Sequence, residues 1–146
     1  MLAIGSDHGG YELRQEVMKW LDEQGIAYKD FGCATPASID YADIAEPVAQ
    51  AIVSGECERG ILICGTGIGI SIAANKVKGI RAAACSDFFS AEYTRRHNDA
   101  NILAFGGRVV GPGLAIKMVE SWLNAEFEGG RHQKRIDKIA AIEARQ

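Results

Sequence analysis

Cys64 is the residue whose sequence surroundings point most directly to chemistry. It ends the apolar run 60–64 and is followed by the glycine-rich stretch 65–69 and the amphipathic stretch 70–76. These patterns predict a buried strand, a tight turn and the start of a helix. A thiol there faces backbone N–H groups and a helix N-terminus, which favours a thiolate and supplies donors to an oxyanion. Such a site can abstract a proton next to a carbonyl, although a buried structural cysteine fits the pattern equally well.

The elements that position this thiol alternate regularly along the chain. Apolar strand candidates lie at 2–6, 26–31, 60–64, 80–85 and 101–106, and amphipathic helices are predicted at 11–24, 41–53, 88–97 and 114–127 in addition to the helix after the glycine stretch. This alternation predicts an α/β fold with a parallel sheet, right-handed crossovers and helices on both faces. A separate helix, about 131–144, follows the Gly129-Gly130 break, and its apolar stripe suits either its own domain or a partner subunit.

Ligands of parallel α/β sheets bind outside the carboxyl ends of the strands. Asp7, His8, Cys64 and Arg108 all fall at such ends. A histidine at a strand end can bind phosphate, and the glycines after His8 let the backbone approach a ligand. The structural alternative is a turn capped by Asp7.

Further candidates lie on two helices. His97 is near a helix C-terminus, where a histidine commonly interacts only with the helix dipole. Its neighbour Asn98 suits either a sugar hydroxyl or a left-handed cap. Arg131 and Arg135 are four positions apart on one helix face, which suggests an anion such as phosphate between them, while solvated surface is the alternative. His132, offset by one position, is expected to point elsewhere.

Composition excludes several classes of function. The 146 residues, 47% of them apolar, suit one compact domain, and a net charge of −3 gives no reason to expect nucleic acid or an acidic membrane surface. We find no signal peptide or membrane span, and four cysteines without paired spacing suit free thiols in the cytoplasm. Ile70 and Ile72 stand where a dinucleotide loop needs its last glycine, so no nucleotide cofactor is expected.

Taken together, these motifs resemble the type B ribose-5-phosphate isomerases, which belong with the galactose-6-phosphate isomerase subunits in one sugar-phosphate isomerase family. The matching segments cover nearly the whole chain in order: Asp7-His8, then 64–75, 96–99, 101–108 and 129–135. The resemblance implies a three-layer α/β/α sandwich with a five-stranded parallel, Rossmann-like sheet. It also implies a homodimer or dimer of dimers with active sites at the subunit interface, and neither metal nor other cofactor.

The resemblance also assigns roles to single residues. Cys64 matches the catalytic base and His97 the acid that opens the sugar ring. In one branch of the family the base is a glutamate farther along the loop, but residues 69–71 contain no acid here. The positions that match substrate contacts are Gly65, Thr66, Gly67, Ile68 and Gly69 for the oxyanion, His8, Arg131 and Arg135 for the phosphate, Asp7 for a sugar hydroxyl, and Asn98 and Arg108 for further contacts.

The expected activity is the interconversion of ribose 5-phosphate and ribulose 5-phosphate, a step of the pentose phosphate pathway. Isomerisation of a six-carbon sugar phosphate, such as allose or galactose 6-phosphate, is the nearest alternative. A sugar-phosphate-binding module without turnover is an alternative of another class, and the presence of both Cys64 and His97 argues against it.

Overall fold

The computed structural model describes residues 1–146 and confirms the predicted alternation of strands and helices. The strands are β1 (Leu2–Ser6), β2 (Tyr28–Asp30), β3 (Arg59–Cys64), β4 (Ala82–Ala84) and β5 (Ile102–Gly106). The helices are α1 (Tyr11–Glu23), α2 (Ala42–Val53), α3 (Ile68–Ala74), α4 (Phe88–Asn98), α5 (Pro112–Asn124) and α6 (Arg131–Ala144). A 3₁₀ turn, His8–Gly10, connects β1 to α1.

All five strands are parallel, in the order β2-β1-β3-β5-β4. The two edge strands have three residues each, shorter than the predicted stretches 26–31 and 80–85. An edge strand pairs on one side only, so its ends leave the ladder where the single neighbour no longer supports them. The central strand β3 is buried from Gly60 to Cys64, which explains why its sequence is continuously apolar.

Two hydrophobic cores lie on opposite faces of the sheet, so the fold is a three-layer α/β/α sandwich. Ile61 and Ile63 of β3 pack into the core under α1 and α5, whereas Leu62 and Cys64 pack into the core under α2 and α3. Successive side chains of a strand point to opposite faces, which assigns alternate residues of one apolar run to different cores. Cys64 is therefore fixed by packing on the α2–α3 side.

The C-terminal helix α6 follows no strand and packs against α4. His132 and Ile136 are its buried residues, and the Glu143 carboxylate accepts a hydrogen bond from the Gly79 N–H group. Ile139, on the predicted apolar stripe, stays about half exposed at 49%. None of the six helices is long and apolar enough to cross a membrane.

Candidate active site

The carboxyl ends of β1, β3 and β5 form one continuous edge. Cys64 pairs with Gly106 across the β3–β5 ladder. Beyond the strands, the Gly107 N–H group donates to the Cys64 carbonyl oxygen at 2.8 Å and the Arg108 N–H group to the Gly65 carbonyl oxygen at 3.0 Å. Asp7 is joined to the same edge through its N–H group, which donates to the Ile63 carbonyl oxygen at 3.2 Å. The predicted clustering of these strand ends is thus present.

The thiol of Cys64 lies inside the glycine loop. Its Sγ atom accepts a hydrogen bond from the Gly67 N–H group at 3.1 Å, and the residue is only 4% exposed. Gly67 has φ of 81°, and a Cβ atom there would lie 2.6 Å from the Phe105 backbone. Only glycine fits this position, because it needs both a left-handed conformation and close backbone contact. The loop geometry that holds the sulfur therefore depends on Gly67.

The amide groups of the loop divide into two sets. Those of Gly67 and Ile68 are occupied, the first by Cys64 Sγ and the second by Thr66 Oγ1 at 3.2 Å. Those of Gly65, Thr66 and Gly69 donate no hydrogen bond within the chain. Helix α3 begins at Ile68, two residues earlier than predicted, because Gly67 forms its left-handed N-cap. The first-turn N–H groups of a helix have no intrahelical partner, so they remain available to an anion.

Asp7 and His8 are held by backbone contacts beside this loop. The Asp7 carboxylate accepts from the Gly9 N–H group at 2.9 Å, which is the capped turn considered as the structural alternative. His8 Nδ1 accepts from the Ile39 N–H group at 3.2 Å. In the neutral ring this hydrogen bond assigns the proton to Nε2, which becomes a donor. The capped turn and a phosphate-binding role of His8 are compatible, because a rigid turn can hold a histidine in position for a ligand.

Arg108 and Tyr41 flank the loop from either side. A Cβ atom at Gly65 would lie 3.5 Å from Arg108 Nη1, so the guanidinium group lies next to that glycine. A Cβ atom at Gly69 would lie 2.8 Å from the Tyr41 ring, which is 44% exposed. Tyr41 is not among the predicted site residues, because its sequence pattern is that of the first residue of an ordinary helix. The one signal for Tyr41 in the sequence is an aromatic residue directly before α2, at the end of the loop that follows β2.

A second cluster joins α4 to α6. The rings of His97 and His132 stack with centroids 4.1 Å apart and planes at 10°. The Glu128 Oε1 atom lies 3.8 Å from His97 Nε2 and 3.5 Å from His132 Nε2. His132 does point away from Arg131 and Arg135, as expected, but it points at His97. His132 and Glu128 are therefore neighbours of a candidate catalytic residue, a contact that the sequence pattern did not predict.

The turn before α6 explains this arrangement. Gly129 and Gly130 both have positive φ, 68° and 57°, which folds the chain back so that α6 docks on α4. The docked face carries His132 and Ile136, one helical turn apart, while Arg131 and Arg135 lie on an exposed face.

The surroundings of the second cluster shift the pKa values of both Glu128 and His132. Arg96 Nε donates to Glu128 Oε2 at 2.7 Å, and this hydrogen bond lowers the pKa of the Glu128 carboxyl group. Burial, followed by the electrostatic influence of the neighbouring His97 and Arg131 side chains, lowers the pKa of His132. Glu128 is therefore ionised and His132 neutral near pH 7.

Asn98 lies at the same end of α4, and its side chain is exposed and makes no hydrogen bond within the chain. The alternative of a left-handed cap at Asn98 is wrong, because Asp99 takes that conformation with φ of 48°. Asn98 itself is helical. Its amide is therefore free to contact a ligand.

Within one chain, the two clusters lie at opposite ends of the strands, which we call the amino edge and the carboxyl edge of the sheet. Helix α4 starts after β4 and runs back along it, so His97 is about 13 Å along the helix axis from Phe88. Arg81, the residue before β4, donates through Nε to the Asn98 carbonyl oxygen at 2.9 Å. His97 and Asn98 are therefore at the amino edge, whereas Cys64 is at the carboxyl edge. We call these the thiol half-site (Asp7, His8, Cys64, residues 65–69, Arg108) and the histidine half-site (His97, Asn98, Glu128, Arg131, His132, Arg135).

Comparison with known proteins shows which family this chain resembles. The model of the Ribose/Galactose Isomerase family matches residues 2–139. Ribose-5-phosphate isomerase B of Escherichia coli is 52% identical over 144 residues, covering 99% of this chain and 97% of that protein.

Two solved structures agree with this assignment. Ribose-5-phosphate isomerase B of Clostridium thermocellum superposes with a TM-score of 0.97 at 56% identity, covering 99% of this chain and 97% of that chain. That of Mycoplasma genitalium, solved with bound ribulose-5-phosphate, superposes with a TM-score of 0.94 at 41% identity and the same coverage. The family match and these nearly full-length similarities show that the chain belongs to the ribose/galactose isomerase family.

Proposed function

We propose that this protein is an aldose–ketose isomerase that interconverts ribose 5-phosphate and ribulose 5-phosphate through a cis-enediolate. The observation that carries the proposal is the Cys64 thiol, held by the Gly67 N–H group beside loop amides that have no partner in the chain. The relatives named ribose-5-phosphate isomerase B support the same substrate pair. The free thiols, with no disulfide among the four cysteines, suit a reducing compartment such as the cytoplasm.

Proton transfer falls to the thiol half-site. The Cys64 thiolate removes the proton from C2 of the open-chain aldose, the O2 hydroxyl proton passes to O1 at the cis-enediolate, and the resulting thiol returns a proton to C1. The negative charge that develops on the sugar oxygens meets the amides of Gly65, Thr66 and Gly69. One well-placed donor of this kind is worth about 3 kcal/mol in the transition state.

Ring opening falls to the histidine half-site. We assign His97 as the group that moves a proton between the ring oxygen and O1 of the furanose. His132 stacks on its ring at 4.1 Å and the Glu128 carboxylate lies near its Nε2 atom at 3.8 Å. These contacts restrict the orientation of the imidazole. Asn98 extends from the same helix end and is assigned to a sugar hydroxyl.

The phosphate requires cationic and neutral donors from both half-sites. His8 offers Nε2–H, and Arg131 and Arg135 offer guanidinium groups on an exposed helix face. Arg108, next to Gly65, and Asp7 complete the proposed sugar contacts on the thiol side.

A complete site then needs two subunits. Cys64 and His97 act on adjacent atoms of one small sugar but lie at opposite edges of one chain. We infer a homodimer, in which α6 and the end of α4 of one subunit contribute the histidine half-site to the thiol half-site of its partner. Each chain is accordingly a single sugar-phosphate isomerase domain, 1–146, whose C-terminal helix contacts the partner.

The substrate range tests the function directly. We expect a coupled assay to give the highest kcat/KM for ribose 5-phosphate among four-, five- and six-carbon aldose phosphates. A higher kcat/KM for allose or galactose 6-phosphate would replace the pentose assignment by a hexose one. Saturable binding without turnover or C2 proton exchange would indicate the non-catalytic alternative.

Replacing His97 by asparagine is expected to separate ring opening from proton transfer. Turnover of ribose 5-phosphate should fall about 100-fold or more, since general acid–base groups typically contribute 10²–10⁴-fold. A four-carbon aldose phosphate cannot close a furanose ring through its phosphorylated end. We therefore expect its turnover by His97→Asn to stay within a few-fold of the wild-type rate. Equal losses on both substrates would assign His97 to structure or to the proton-transfer step.

Replacing Arg135 by alanine is expected to raise KM about ten-fold or more. A charge-assisted hydrogen bond to a dianion contributes about 1.5–3 kcal/mol, and kcat should also fall if the phosphate anchors the reacting carbons. Arg135→Lys should rescue poorly, because lysine lacks the planar fork. The matched control is Lys134→Ala, which removes one positive charge from the neighbouring position of α6. Similar KM increases in Arg135→Ala and Lys134→Ala would mean that Arg135 contributes only a positive charge and no direct contact with the phosphate.

A further inference from the structure

Tyr41 lies beside the glycine loop of the thiol half-site, and the mechanism proposed above gives it no role. A Cβ atom at Gly69 would lie 2.8 Å from the Cζ atom of Tyr41 and 3.0 and 3.1 Å from its Cε2 and Cε1 atoms. These three carbons form the hydroxyl end of the ring. The phenol oxygen, which is bonded to Cζ, therefore lies next to Gly69, whose amide group has no partner in the chain.

The backbone on both sides of Tyr41 is held in place. Two residues earlier, the Ile39 N–H group donates to His8 Nδ1 at 3.2 Å. The Tyr41 carbonyl oxygen accepts from the N–H groups of Ile44 at 3.2 Å and Ala45 at 2.9 Å, which makes Tyr41 the N-cap of α2. Helix α2 in turn packs against α3, the helix that begins in the glycine loop. These contacts keep the Tyr41 ring beside the loop.

The hydroxyl group of Tyr41 is available to a ligand. The residue is about half exposed, and its hydroxyl group donates no hydrogen bond within the chain. A phenol hydroxyl can donate one hydrogen bond and accept others. In the proposed mechanism the sugar oxygens lie at the amides of Gly65, Thr66 and Gly69, so the phenol lies beside the oxygens on which negative charge develops.

We propose that Tyr41 is a further catalytic residue of the isomerase, whose hydroxyl group donates a hydrogen bond to the enediolate oxygens beside the Gly69 amide. The inference rests on the proposed function, because it takes the loop amides as the site of the developing charge. A neutral donor contributes most when the charge that it faces is larger in the transition state than in the substrate. The hydroxyl group should therefore affect kcat more than KM.

Tyr41→Phe removes the hydroxyl group and keeps the ring on Gly69. We expect kcat for ribose 5-phosphate and the rate of C2 proton exchange to fall at least ten-fold, since one oxyanion donor is typically worth about 10²–10³ in kcat and the loop amides remain. KM should stay within about three-fold of wild type. The matched control is Tyr28→Phe, because Tyr28 pairs with Leu2 at the amino edge and its hydroxyl group lies beside Asp22. That variant should keep both rates within about two-fold.

Gly69→Ala tests how the hydroxyl group is placed. Gly69 lies in the first turn of α3 without a positive φ, so alanine fits the backbone, but its methyl group would displace the Tyr41 ring. We expect kcat to fall at least ten-fold. The double variant with Tyr41→Phe should be at most about three-fold slower than the slower single variant, because both changes remove the same hydrogen bond. Losses that multiply would contradict placement of the hydroxyl group by Gly69.

Failure of this inference is distinguishable from failure of the proposed function. Exchange at the wild-type rate in Tyr41→Phe would overturn the role of Tyr41 alone, whereas a wild-type protein without C2 exchange would overturn both. Calorimetric titration with inorganic phosphate gives a readout that needs no turnover, and we expect Tyr41→Phe to bind phosphate within about two-fold of wild type. A ten-fold loss of phosphate affinity, or a higher KM with unchanged kcat, would overturn the inference by making Tyr41 a ground-state ligand.

Discussion

Replacing Cys64 by alanine is expected to abolish exchange of the substrate C2 proton with solvent while leaving phosphate-ligand binding nearly intact. The thiolate is the proposed base, and its Sγ atom is held by the Gly67 N–H group of the loop. We expect a loss of about 10³-fold or more, toward the upper range for a single acid–base group. Loss of the C2 proton signal in deuterated buffer, followed by NMR, measures the step without any coupling enzyme.

Cys85 provides the matched control for this experiment. It is a partly buried thiol between β4 and α4, and burial raises its pKa to about 11. Cys85→Ala should therefore keep proton exchange within about two-fold of wild type, because the protonated thiol lies outside the glycine loop. Thermal unfolding of both variants checks that the small loss of packing leaves the fold intact. Exchange at the wild-type rate in Cys64→Ala would refute the proposed mechanism.

Mixing two inactive variants is expected to restore activity. In a mixed dimer of Cys64→Ala and His97→Asn, one site combines both defects, and the other combines an intact thiol half-site with an intact histidine half-site. Random exchange at equal concentrations puts half of the chains in mixed dimers, so about a quarter of all sites should be active. The expected change is from almost no turnover of ribose 5-phosphate to about 25% of the wild-type rate.

The matched control for mixing is the pair His97→Asn and Arg135→Ala. Both defects lie in the histidine half-site, so every site in every dimer keeps one of them and no activity should appear above that of the separate variants. Mass spectrometry of the intact dimers establishes that the subunits have exchanged. Full exchange of the first pair with no recovered activity would contradict a site shared between subunits.

The sequence alone determined the sheet, its parallel direction and the thiol half-site. Short apolar runs match buried strands, and stretches with a helical period match amphipathic helices. Their alternation along the chain fixes the α/β class. In a parallel sheet all strands end at the same edge, so Asp7, Cys64 and Arg108 had to be neighbours once their strands were recognised. The tight glycine turn after β3 was also predicted from the sequence, although the contact of Gly67 with the Phe105 backbone was not.

Only the tertiary structure decided the histidine half-site. Glu128 and His132 meet His97 because two left-handed glycines fold α6 onto α4, and helical spacing alone does not say which face of α6 docks. Tyr41 reaches Gly69 through the path of the 31–41 loop, which no local pattern encodes. The separation of His97 from Cys64 follows from the direction of α4 along β4. Local periodicity specifies elements, whereas packing between elements distant in sequence brings these side chains together.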